Sequence, residues 1–387
     1  MAGGRLSTLL VPLIVFYEYL TSNYRYLAKN ILISMFIVAY TLTLHYPTMV
    51  WYDFYVGSLE ASGADYMIRV QVDMGDVGSL ASLLEDRGYE GLEACSGVKS
   101  LMLAFVAYHR EATLILASGD LGLAPVKVVE GSMPGSSREL MVSALNSSGV
   151  DIGSTYRIGG RDLRVTGKGY INPILSGHAL GDRAALTLLG DNTLDLLAVD
   201  TGGAPYSGGV VPGLIFARGG GDPARCIEAI ADSTGASLRV DEVVDLGSVV
   251  EHDKQLYKSE YGSWETTRLA ASMILVLYMV RVALTDVSEK MRRELALLYG
   301  MGGGDLLAGS LLALKFLLLG VAISLLGLAL SSWYMEESLL LSLPLPYLLR
   351  EYSTLLSGAL GAGLLLSVLA GVLAARRSNL VEVYSGA

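Results

Sequence analysis

Four apolar stretches, one near the start and three crowded into the last third, bound what this chain of 387 residues can fold into. Residues 31–51, 268–285, 306–331 and 355–373 each approach the ~20 apolar residues that cross a ~30 Å hydrocarbon core at 1.5 Å per residue. The first carries no formal charge, and the last two are the most leucine-rich parts of the chain. This one-plus-three layout predicts four membrane helices. A large insert, residues 57–265, separates the first two, and a short connection, residues 333–352, separates the last two.

Lys and Arg favour the cytoplasmic side of short membrane loops. Arg5, Arg25 and Lys29 precede the first span, Lys290, Arg292 and Arg293 lie in the connection 286–305, and Arg376 and Arg377 lie in the tail 374–387. The connection 333–352 sets Arg350 against Glu336, Glu337 and Glu351. Both termini are therefore expected in the cytoplasm, and the insert outside the plasma membrane. Trp51, Trp264 and Trp333, the only tryptophans, fall at predicted outer ends of spans, where amphipathic rings settle at the headgroup level. Within residues 1–30, Arg5 followed by LSTLLVPLIVFY is too short to span and has no small-residue cleavage pattern. It reads as a cytoplasmic interfacial helix.

The acidity of the chain belongs to the insert. Residues 57–265 hold 16 Lys and Arg against 28 Asp and Glu, a net −12, while the remainder holds 12 against 10. Nucleic acid is excluded as a partner for such a surface, because phosphate binding needs clustered positive charge. Both cysteines, Cys95 and Cys226, lie in the insert; outside the cell they admit one disulfide or two unrelated buried thiols. Asn146-Ser147-Ser148 is a glycosylation sequon on the same side.

The insert repeats a pattern. Residues 66–72 alternate as a strand does, 76–87 have helical spacing, and strand-like runs follow at 101–108 and 112–117. Later, strand 213–217 leads into helix 223–233 and strand 237–244. Two such units predict an α+β domain of split βαβ type with helices on one face of a sheet. Between them, residues 126–167 read as a β-rich subdomain, from short strands broken by Gly and Ser. Residues 245–264 read as a helix running into the second span.

No catalytic constellation is legible. His45, His109, His178 and His252 are scattered, without zinc-ligand spacing. Glu251-His252-Asp253 is the one compact polar cluster of catalytic type, and it reads as a solvated helix face. No G-x-x-x-x-G-K-[ST] phosphate loop occurs, and the glycine-rich run 219–222 lacks the lysine. No cofactor or metal is expected in this chain, and ATP, if used, must be bound by another.

Residues 286–305 read DVSEKMRRELALLYGMGGGD, a short basic helix closed by glycines. On chemistry alone it is an interfacial helix touching anionic lipid. It also resembles the cytoplasmic signature of the FtsX-like, MacB-type ABC permeases, through Arg292, Arg293, Glu294, Leu295, Leu297, Leu298, Met301 and Gly302. Runs at 129–131, 138–143, 150–155 and 163–167 resemble that family's external core, and 374–380 its C-terminal end. The resemblance implies a non-catalytic permease subunit that pairs with a second copy or paralogue. It also implies a cytoplasmic ABC ATPase, carrying ATP and Mg, that contacts Arg292, Arg293, Glu294, Leu298 and Gly302. ATP-driven closure of that ATPase would move the external domain to export or extract a lipoprotein, peptide or amphiphile. An FtsX-like signalling subunit that activates an external hydrolase, or an ATP-independent membrane-anchored sensor, are the rival readings. Lys315, nine residues into the third span where the family commonly has an acid, either pairs with an acid across the dimer or snorkels. Arg281 is placed to snorkel from the cytoplasmic end of the second span.

Overall fold

The computed structural model describes residues 24–109, 112–144, 150–176, 184–190, 193–198, 209–285 and 325–334, with Leu365 and Leu369. The chain divides into two compact units. One comprises Met1–Tyr46, Ser263–Tyr334 and Leu348–Ala387; the other comprises Pro47–Gly262 with Met335–Tyr347. The second corresponds to the acidic insert, but it begins about ten residues earlier than the predicted start at residue 57.

In the first unit, the Tyr278 hydroxyl donates to Asn30 Oδ1 at 3.0 Å, joining the segments expected to form the first two spans. Among the described residues, no helix is long and apolar enough to cross a membrane. Residues 1–23, 286–324 and 335–364 lie outside the described residues, with nearly all of 365–387. The four spans, the interfacial helix, the connection 286–305 and the tail therefore rest on the sequence.

The second unit opens on the end of helix α1, Tyr24–Tyr52. A π-helical turn, Asp53–Gly57, follows, and then a short helix α2, Ser58–Ser62. Gly63 ends it at φ +58°, in the left-handed region where an L side chain is strained. Strand β1, Tyr66–Asp73, leads to helix α3, Val77–Glu85, and strand β2, Val98–Tyr108. The strands β3 (Thr113–Gly119), β4 (Val126–Gly131), β5 (Glu139–Ser143), β6 (Thr155–Ile158), β7 (Arg161–Ile171) and β8 (Ala184–Leu188) come next. Strand β9, Val210–Gly219, then precedes helix α4, Pro223–Thr234, and strand β10, Leu238–Asp245. Helix α5, Leu246–Thr285, follows without a break. Helix α4 starts and stops for local reasons: the Asp222 carboxylate accepts from the amides of Ala224 and Arg225, Pro223 occupies the first turn, and Gly235 closes the end at φ +67°.

Among the described residues, ten strands form one sheet in the order β10-β1-β9-β2-β3-β8-β5-β7-β4, with β6 on β7. The units β1-α3-β2 and β9-α4-β10 interleave, so β1 lies antiparallel between β10 and β9, and β9 between β1 and β2. This is the split βαβ arrangement that the repeated pattern predicts. The strands within residues 126–167, expected as a β-rich subdomain, extend the same sheet, because β8 pairs in parallel with β3 and antiparallel with β5. The sheet is also buried on both faces rather than one. Ile68, Val70, Leu101, Leu103 and Phe105 pack with α3 and α4 on one side. Met67, Met102, Ala104, Ile115 and Phe216 pack with Leu59 and Leu246 on the other. The continuous apolar run 101–107 is what a strand covered on both faces requires.

Cys95, just ahead of β2, is bonded to Cys226 on α4 across a sequence separation of 131 residues. The bridge sits inside the first core beside Ile227 and Ile230 and fastens α4 to the sheet. Closing so long a loop restricts the unfolded chain strongly. Cys95→Ala with Cys226→Ala is expected to cost about 2–5 kcal/mol of stability. A denaturant titration of the oxidised chain and the double variant measures this, and coincident midpoints would contradict it.

Candidate functional site

The described part of the chain concentrates its unusual chemistry where the domain is entered and left. Strand β1 begins at Tyr66 directly opposite Asp245, the last residue of β10. The Leu246 amide donates to the carbonyl of Asp65 at 3.0 Å. The helical segment that precedes β1 and the start of α5 therefore emerge side by side.

On the entering side, the π turn adds a residue per turn and rotates the face that follows. Phe54 and Val56 are buried at 1% exposure, worth ~1.5–3 kcal/mol each against an exposed state. Asp53 is turned inward with them, and its carboxylate meets Lys127 Nζ of β4 at 2.7 Å. Asn172, just after β7, reaches the same turn. Its amide group donates to the Tyr55 carbonyl at 2.7 Å, the Phe54 carbonyl at 3.2 Å and Ser58 Oγ at 2.9 Å. Carbonyls left poorly aligned by π geometry are thus satisfied from the sheet. The Asn172 Oδ1 accepts from the Ile174 amide, which fixes the orientation of the side chain.

On the leaving side, Lys254 of α5 meets Glu60 of α2 at 2.7 Å. The hydrogen bond that the Lys254 ammonium donates to Glu60, followed by the Glu60 charge, raises the Lys254 pKa. Tyr52 packs edge-to-face on Tyr257 with centroids 5.0 Å apart, and burial followed by the Glu60 charge raises its hydroxyl pKa. An ion pair and a ring contact thus tie the two helical segments to each other, while Asp53 and Asn172 tie the first of them to the sheet.

Between these segments lies a cavity of about 280 Å³. Trp51, Tyr55, Tyr257 and Tyr261 supply its aromatic walls, Val56 and Leu256 its aliphatic ones, and Asp253 and Glu260 its carboxylates. Trp51 and Tyr55 stack at 5.1 Å with planes 6° apart, and Tyr257 lies 5.2 Å from Tyr261. Burial raises the Asp253 pKa, partly opposed by His252. Burial also raises that of Tyr55, helped by Tyr261 and Asp253.

The residues singled out in the sequence are distributed unevenly. Arg292, Arg293, Glu294, Leu298, Gly302 and Lys315 lie outside the described residues, as do His178 and the sequon at Asn146. Arg281 lies exposed on α5. In the cluster 251–253, Glu251 and His252 are exposed as a solvated face should be, but Asp253 is half-buried and lines the cavity. The glycine-rich run 219–222 serves close packing: at Gly219, φ +120°, an added Cβ would come within 2.3 Å of the Gly97 carbonyl oxygen. Among the described residues no His, Cys, Asp and Glu group is placed to hold a metal ion. The sequence carries a signal of the cavity: Asp253, Tyr257 and Glu260 or Tyr261 recur at helical spacing, as do Trp51 and Tyr55.

No family model and no curated protein matches the chain. Among solved structures, it is similar to the extracellular domain of the noncanonical ABC-type transporter YknZ from Gram-positive bacteria. That likeness covers 46% of this chain and 100% of the other, at 15% sequence identity and a TM-score of 0.28. A score that low carries no inference about this chain.

Two outcomes are expected. Lys127→Met removes the cation from beside the buried Asp53 carboxylate and should cost about 3–5 kcal/mol. Asp53→Asn combined with Lys127→Met should restore part of that, and thermal melts of the three chains compare them. Asp253 behaves differently. Its carboxyl binds a proton more tightly folded than unfolded, so wild-type stability is lost as pH rises from the ordinary carboxylate pKa, ~3.9, through the raised value. Asp253→Asn should therefore melt higher than wild type at about pH 7.5, with the gap closing as pH falls toward about 4. A lower melting temperature for the variant at neutral pH would reverse the argument.

Proposed function

We propose that this chain is the transmembrane subunit of an ABC transporter of the FtsX-like, MacB type, in which a separate ATPase drives movements of the external domain. The observation that supports the reading most is the paired junction. The helical segment entering the domain and the helix leaving it emerge from neighbouring strands, and Glu60 and Lys254 join them. The entering segment is in turn held to the sheet by Lys127 and Asn172. A relative displacement of two membrane helices would reach the sheet through these few contacts, with no long flexible linker to absorb it.

The sequence supplies the other end of the machine. The signature through Arg292, Arg293 and Glu294 lies on the predicted cytoplasmic side, between the second and third spans, and offers a charged handle to an ATPase. On this reading the chain sits in the plasma membrane with both termini inside, works beside a second permease copy or paralogue, and carries no nucleotide itself. Its work is mechanotransmission: closure of the ATPase pair shifts the spans, and the domain moves cargo of lipoprotein, peptide or amphiphile type.

The test is co-purification from membranes. A Walker-type ATPase from the same source should come down with the wild-type chain, and reversing charge at Arg292, Arg293 and Glu294 should reduce recovery at least several-fold. Recovery unchanged by the triple reversal, or no ATPase bound at all, would sink the assignment. Lys127→Met, wherever it still folds, should leave ATPase binding intact while lowering transport, because it loosens only the external end.

A further inference from the structure

The cavity between the entering segment and α5 has no role in that reading, and its chemistry is specific enough to name an occupant. We propose that it binds an organic ammonium group, with the cation beside Asp253 and its carbon substituents against the rings of Trp51, Tyr55 and Tyr257.

Charge decides the sign of the ligand. The lining includes two carboxylates and no base. Lys254, the neighbour of Asp253 in sequence, is engaged with Glu60 at 2.7 Å and is absent from the lining. His252 is exposed on the adjoining face. Among the described residues, no hydrogen bond or ion pair holds the Asp253 carboxylate, although the side chain is half-buried and pays for that in its raised pKa. A half-buried acid that faces an open cavity, with His252 directed to solvent on the adjoining face, offers its charge to a cation from outside.

Shape decides its class. Asp253 and Glu260 are seven residues apart on one helix, about 10.5 Å along the axis at 1.5 Å per residue, too far to share a metal ion. Four aromatic rings surround the space instead, and ring faces attract a cation that carries its own apolar shell. A volume of about 280 Å³ accommodates a small substituted ammonium with its first carbon atoms. Glu260, exposed at the rim, adds negative potential that favours entry of the cation. The same chemistry is carried by a free amine and by the head group of a zwitterionic lipid, and the site lies where the helices approach the predicted outer membrane surface. Failure of the transporter reading would leave the cavity, its lining and this binding unchanged.

The experiment uses the full chain in nanodiscs of phosphatidylglycerol, titrated calorimetrically with tetramethylammonium and with ethanolamine. A second arm adds phosphatidylethanolamine to the bilayer and reads lipid retention by native mass spectrometry. Saturable binding in at least one arm, weakened tenfold or more by Asp253→Asn and weakened also by Tyr257→Leu, is the expected result. Binding of the free amines alone assigns a soluble ligand; retention of the lipid that Asp253→Asn abolishes assigns a head group. Absence of binding in both arms, or equal binding by wild type and Asp253→Asn, overturns the proposal. Because Asp253→Asn is expected to melt higher than wild type at neutral pH, loss of binding in that variant is not loss of fold, and a melt of the same sample verifies it.

Discussion

The pairing of the first strand with the last governs the rest of this domain. Tyr66 opposes Asp245, so the chain enters and leaves at one place on the sheet rather than at opposite ends. An antiparallel ladder fixes that register through backbone hydrogen bonds and through alternation of side chains, and a slip of one residue would turn Ile68 and Val70 out of their core. The ion pair of Glu60 with Lys254, the ring contact of Tyr52 with Tyr257 and the cavity itself all presuppose this adjacency.

Charge burial at the junction is a specificity device more than a source of stability. Asp53 and Lys127 lose hydration when they meet, and an apolar pair of similar volume would serve as well for stability alone. What the pair adds is a fixed rotation of the entering segment, since it holds the Asp53 side chain against β4. Asn172 works to the same end, because its donors match carbonyls that only the π turn exposes.

Much of the fold was legible in the sequence, for reasons that can be located. Helix periods in 76–87 and 223–233 are strong because one face of each helix is buried against the sheet, and the split βαβ arrangement follows from the order of strands and helices around them. The membership of β4 to β8 in the same sheet was not legible, since it depends on β3 and β8 pairing over a sequence separation of about seventy residues with no local signature. The π turn at 53–57 was equally hidden: its one extra residue is stabilised by Lys127 and Asn172, far along the chain. Asp253 departs from its neighbours because a charged triplet reads as solvated until the entering segment supplies Trp51 and Tyr55.

The position of β10 at the rim of the sheet has a consequence for assembly. Its free edge carries Asp241 and Glu242, the latter paired with Arg69 at 2.9 Å and half exposed. Asp241 is in turn 2.7 Å from Arg239 of the same strand, and strand edges guarded by charged side chains in this way resist joining to another ladder. A neighbouring molecule that met this flank would therefore stay a separate sheet, and the domain keeps its own boundary at β10.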